Sequence, residues 1–107
     1  MNKICKLKPI TGIYILYFDN HDTIYIGASR DITKRLNQHK LELDCNRHLC
    51  KELNDDYFRF DGNLKVFVIE QCDYRTMFKK EFALTKILKQ CGVEIYNNLS
   101  YDKKRRT

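Results

Sequence analysis

Residues 12–18 read Gly12-Ile13-Tyr14-Ile15-Leu16-Tyr17-Phe18, followed by Asp19-Asn20-His21-Asp22 and then Thr23-Ile24-Tyr25-Ile26-Gly27. Two runs of β-branched and aromatic residues flank a cluster of turn formers. The runs suit the pleated surface of a strand, and the polar cluster suits a reversal. The spacing predicts an antiparallel hairpin centred on Asn20-His21. Side chains alternate along a strand with period two, so loop length decides which residues share a face. A loop of even length places Ile13, Ile15, Ile24 and Ile26 on one face and Tyr14, Leu16 and Tyr25 on the other. An odd length would put the two tyrosines on opposite faces. We adopt the even register because it gathers the isoleucines into one core surface.

Working outward, Gly27-Ala28-Ser29 ends the second strand and Asp31 suits a helix N-cap. Ile32, Leu36 and Leu43 recur at helical spacing to about residue 43, and Arg35 and His39, four apart, are neighbours on that helix. A short helix is expected over Asn46 to Leu53, with Leu49 and Leu53 inward and Asn54-Asp55-Asp56 as its breaker. Residues 64–69, Leu-Lys-Val-Phe-Val-Ile, predict a third strand, apolar enough for a central place in the sheet. Asp73 caps a last helix that runs to Gly92, with an inward stripe of Met77, Glu81, Leu84, Leu88 and Cys91. Glu81 is the stripe's one polar member.

The 107 residues suffice for a single domain, with a core over about 12–99 and a basic tail over 101–107. Twenty Lys and Arg against fourteen Asp and Glu give a net charge of +6, which favours polyanionic partners. No apolar run approaches the roughly 18 residues of a membrane span, and the N-terminus has no signal-peptide core. The expected setting is intracellular, cytoplasmic or nuclear, not secreted. Five cysteines, an odd count without a CxxC pair, indicate reduced thiols. Cys45, His48 and Cys50 could form half of a zinc site, but no second pair stands at familiar spacing. Small core filler is the better reading for the cysteines, and His21 and His48 read as surface histidines.

Gly12-Ile13-Tyr14, ten residues, then Tyr25-Ile26-Gly27 resembles the pair of tripeptides that names the GIY-YIG nuclease superfamily. The resemblance continues in order through Ser29, Arg35-x-x-x-His39, Glu81 and Tyr96-Asn97, spanning residues 12 to about 99. It implies an α/β (α+β) fold, a small three-stranded antiparallel sheet flanked by helices. It also implies hydrolysis of DNA phosphodiesters, duplex or branched, with one divalent ion, Mg²⁺ or Mn²⁺, leaving 5′-phosphate and 3′-hydroxyl ends. Position by position, it implies Glu81 as metal ligand and Tyr14 as the group that positions or deprotonates the attacking water, assisted by Tyr25. Arg35 would bind the scissile phosphate, His39 would tune Tyr14 or relay its proton, and Asn97 (or the adjacent Asn98) would help fix the geometry. Gly12 and Gly27 would be structural, Gly27 for backbone reasons, because a side chain there would crowd the turn beneath Tyr14.

No recognition helix stands out, so the expected DNA contacts are phosphate contacts from Arg35, Lys34 and the tail Lys103-Lys104-Arg105-Arg106. The alternative, a non-catalytic or partner-dependent nucleic-acid-binding module on the same scaffold, predicts the loss of a catalytic position. None is lost. Target and oligomeric state are not legible in the sequence.

Overall fold

The structure, a computed structural model, describes residues 9–96. In chain order its elements are β1 (Gly12–Phe18), β2 (Thr23–Ser29), α1 (Ile32–Asp44), α2 (Lys51–Arg59), β3 (Leu64–Gln71), α3 (Tyr74–Gln90) and β4 (Glu94–Ile95). The result is a mixed α/β fold. Asn97 and Asn98 and the basic tail lie outside the described residues.

The hairpin takes the even register. Tyr14 pairs with Gly27, Ile15 with Ile26 and Leu16 with Tyr25, and Asn20 turns the chain with φ 61°. Two layers of core follow from this alternation. Ile13, Ile26 and Ala28 pack with Met77, Leu84 and Leu88 of α3. On the other face Tyr14, Leu16, Phe18 and Tyr25 pack with Ile32 and Leu43 of α1 and Leu53 and Tyr57 of α2. Leu43 and Leu53 are fully enclosed, a burial that stabilises by about 1.5–3 kcal/mol each.

β1, and not β3, is the central strand: the sheet order is β3-β1-β2-β4. β3 pairs antiparallel with β1 and runs two residues beyond the expected end. Among the described residues it is an edge strand, and while Leu64 and Val68 pack against the core, Phe67 at 58% and Val66 at 42% are open. An apolar run records what a strand could bury but not whether a neighbour arrives on its second side. The chain approaches closely where β1 begins, for a Cβ on Gly12 would stand 2.0 Å from the Glu70 carbonyl. The two-residue β4 adds a short parallel pairing to β2, so the sheet has one strand more than expected.

The second helix also departs from expectation. It spans Lys51–Arg59, and Asn54-Asp55-Asp56 lies inside it rather than ending it. These residues resist a helix interior only when their side chains compete for local backbone, and here two of them have other partners. Asn54 is buried; its Oδ1 accepts from the His48 backbone N–H at 2.8 Å, and its Nδ2 donates to the Leu43 carbonyl at 3.1 Å. Asp56 accepts from the Tyr96 hydroxyl at 2.7 Å. The helix stops later, where Asp61 and Gly62 both take positive φ. Leu49, expected inward, is half exposed because it precedes the helix. Asp31 and Asp73 do cap α1 and α3, accepting from the backbone N–H of Lys34 and Arg75. Cys91 ends α3 exposed, off the buried stripe, and of the described cysteines only Cys50 is buried.

Asn54 therefore ties the end of α1 to the connection that carries His48. Asn54→Ala would strand two buried backbone groups and should lower unfolding free energy by about 1–3 kcal/mol. Urea denaturation measures this, with the exposed Asp55→Ala as a near-neutral control. Equal midpoints for the two variants would contradict the assignment.

Candidate active site

Alternation on β1 and β2 points Tyr14 and Tyr25 toward α1. Tyr14 needs room to lie across its partner strand, and Gly27 leaves it. A Cβ at Gly27 would stand 2.5 Å from both Cζ and Oη of Tyr14. The phenolic oxygen reaches His39 Nε2 of α1 at 2.6 Å. His39 Nδ1 in turn lies 2.7 Å from His48 Nε2, and His48 Nδ1 accepts the Cys50 backbone N–H at 3.0 Å. The two imidazoles are nearly parallel, with centroids 4.9 Å apart, and the Tyr25 ring stands edge-on to both.

His48 is thus no surface histidine: its side chain is 1% exposed. The α1–α2 connection carries it inward, and a lone histidine in a connection gives no periodic signal of that. Cys45, His48 and Cys50 were neighbours worth grouping, but their chemistry is not that of zinc. Cys45 is exposed, and Cys50 meets His48 through its backbone. His21 is half-buried, 3.2 Å from Asp56.

Burial, first, and the nearby positive charge of Arg35, second, hold both imidazoles neutral. The His39 pKa falls to about 2 and that of His48 to about 4, the latter despite a backbone contact to Cys50 that raises it. The 4.0 Å approach of His48 Nε2 to Glu42 is consequently not an ion pair at neutral pH. Arg35, one turn before His39, keeps Nη1 buried without a hydrogen-bond partner. Glu42 Oε1, at 3.8 Å, attracts it electrostatically but is too far to accept a hydrogen bond. A buried guanidinium N–H in that state can take an anionic oxygen. Lys34 is exposed near the start of the same helix, and the Ser29 hydroxyl links to Asp31.

Glu81 stands on α3, the helix that covers the isoleucine face, and is only 4% exposed. Its carboxylate oxygens are of the kind that a hard cation such as Mg²⁺ prefers. A second donor set, His39, Glu42 and His48, lies within 4.8 Å. It fits a cation poorly as it stands. Two nitrogens on one tetrahedral ion are roughly 3.3 Å apart, given metal–nitrogen bonds of about 2.0–2.1 Å. These two, at 2.7 Å, share a hydrogen bond instead.

The neutral histidines predict an acid-sensitive fold. Their folded pKa values lie below the ordinary 6.5, so the unfolded chain binds more protons as pH falls below 6.5. Stability is full above that value and is lost as pH falls toward the folded pKa values. The urea midpoint should drop from pH 7 to pH 5, with up to two protons taken up on unfolding. A midpoint constant over this range would show that the histidines are not held neutral.

Residues 10–90 match the family described as the GIY-YIG catalytic domain. The catalytic domain of the homing endonuclease I-TevI has a similar solved structure, 20% identical with TM-score 0.68, covering 74% of this chain and 88% of that one. A glutamate-to-alanine mutant of the catalytic domain of intron endonuclease I-TevI is also similar, 19% identical with TM-score 0.71, covering 82% of this chain and 92% of that one. At such identities the likeness is one of fold. No curated protein sequence matches the chain. The family match takes in both strands of the hairpin, Arg35, His39 and Glu81, and the chain belongs to the GIY-YIG nuclease family.

Proposed function

We propose that the chain is an intracellular endonuclease that hydrolyses DNA phosphodiesters with one divalent ion, Mg²⁺ or Mn²⁺, leaving 5′-phosphate and 3′-hydroxyl ends. The observation that carries this reading is the contact of Tyr14 with His39 beside a buried Arg35 Nη1 that lacks a hydrogen-bond partner. One group can handle a proton and the other can meet a phosphate oxygen.

Arg35 binds the scissile phosphate and neutralises the charge that grows on its oxygens. A fork of N–H donors does this well in a site that excludes water. Tyr14 positions the attacking water or takes its proton, and His39 tunes the phenolic oxygen. Tyr25 packs against both histidines and keeps His39 upright beneath Tyr14. Glu81 is the residue that would hold the ion. A bound divalent cation supplies Lewis-acid polarisation of the phosphoryl group and a template for the water. Asn97, Lys103, Lys104, Arg105 and Arg106 complete the proposal from outside the described residues. Asn97 would fix geometry, and the four basic residues, with Lys34, would contact phosphates.

Cleavage of supercoiled, linear and branched DNA with and without Mg²⁺ tests the reading. Glu81→Gln should abolish cleavage while leaving fold and DNA binding largely intact. Tyr14→Phe and Arg35→Ala should each slow cleavage by on the order of a hundredfold or more. Tyr17→Phe, changed on the opposite face of β1, should be near neutral. Undiminished cleavage by wild type in chelator, or full activity of Glu81→Gln, would contradict the metal role.

A further inference from the structure

A backbone amide can only donate, and that sets the direction of every hydrogen bond in the chain beneath Tyr14. The Cys50 N–H donates to His48 Nδ1, so that nitrogen carries no proton. The Asn54 N–H donates to the Cys50 carbonyl at 3.1 Å, which fixes the backbone that aims the Cys50 N–H at His48. Neutral His48 must then hold its proton on Nε2, where its partner at 2.7 Å is His39 Nδ1. That makes His39 Nδ1 an acceptor, and neutral His39 holds its own proton on Nε2, 2.6 Å from the Tyr14 oxygen. The opposite direction would set two donors, His48 Nδ1–H and Cys50 N–H, head to head in a buried site.

We infer that His48 is a positioning residue that locks His39 in its Nε2–H tautomer, so that His39 donates to Tyr14 and cannot accept its proton. The inference rests on the nuclease reading and narrows the role of His39. Of the two roles open to it, tuning and relaying, the geometry selects tuning. His39 places a donor on the oxygen that becomes negative when Tyr14 loses its proton. The phenolic hydrogen is then not shared with His39, and on ionisation of Tyr14 it leaves to water rather than to the histidine. Asn54 supports the lock by holding the His48 backbone, and the near-parallel rings leave His48 little freedom to turn.

The tautomers can be read without DNA. Long-range ¹H–¹⁵N correlation spectra of the whole chain labelled at histidine should show both His39 and His48 with a protonated Nε2 and a bare Nδ1. In His48→Gln an amide N–H can still reach His39 Nδ1, whereas in His48→Leu none can. The His39 tautomer should persist in the first and be released in the second. Cleavage should follow: kcat within about tenfold of wild type for His48→Gln, and down on the order of a hundredfold for His48→Leu, with KM for DNA little changed. A protonated Nδ1 on His39 in the wild type would overturn the inference even if the protein cleaves DNA. The expected tautomers in a wild type that never cleaves DNA would leave the hydrogen-bond direction standing and overturn the nuclease reading instead.

Discussion

Tyr14 lies opposite Gly27, and the site depends on that pairing. Strand alternation commits Tyr14 to the face covered by α1 once the hairpin register is set, and a missing Cβ on the neighbouring strand lets its ring lie flat across the sheet. A slip of one residue would send Tyr14 among the isoleucines and put Ile13 or Ile15 in front of His39. The same alternation that divides the core into two layers therefore also places the Tyr14 phenol against His39. Fold and site are specified by one pattern, so a substitution that loosens the hairpin should be felt first at Tyr14.

Beneath the tyrosine, the protein encloses two imidazoles, a carboxamide and part of a guanidinium, which costs stability unless each finds a partner. The partners come from the join of α1 and α2. Asn54 holds two backbone groups there, and the amide of Cys50, the residue before α2, reaches His48. Arg35 is the exception, with one N–H left over. In the proposed function that donor is the one that meets a phosphate oxygen.

Much of this was legible in the sequence, and what was missed had physical reasons. The hairpin, its register, both aspartate caps and the Arg35–His39 spacing follow from periods of two and of nearly four, which a single chain displays. The family order of residues located Tyr14, Tyr25, Arg35, His39 and Glu81 on the elements that now carry them. His48 escaped because it lies between helices, where no period applies. Asn54 was read as a helix breaker because its hydrogen-bond partners, Leu43 and His48, are tertiary. β3 was read as central because apolar content cannot reveal that, among the described residues, only β1 pairs with it. Asn97 and the basic tail stay at the level of sequence.

The central claim is that this site hydrolyses a phosphodiester with a defined bond broken, and the ends of the product test it most directly. Plasmid DNA nicked by the purified chain in Mg²⁺ can be treated with DNA ligase alone, without kinase or phosphatase. Hydrolysis at the 3′-oxygen–phosphorus bond leaves a 5′-phosphate beside a 3′-hydroxyl, so the account predicts that ligase reseals the nicks. Nicks that ligase closes only after end repair, or the absence of any nicking, would contradict it.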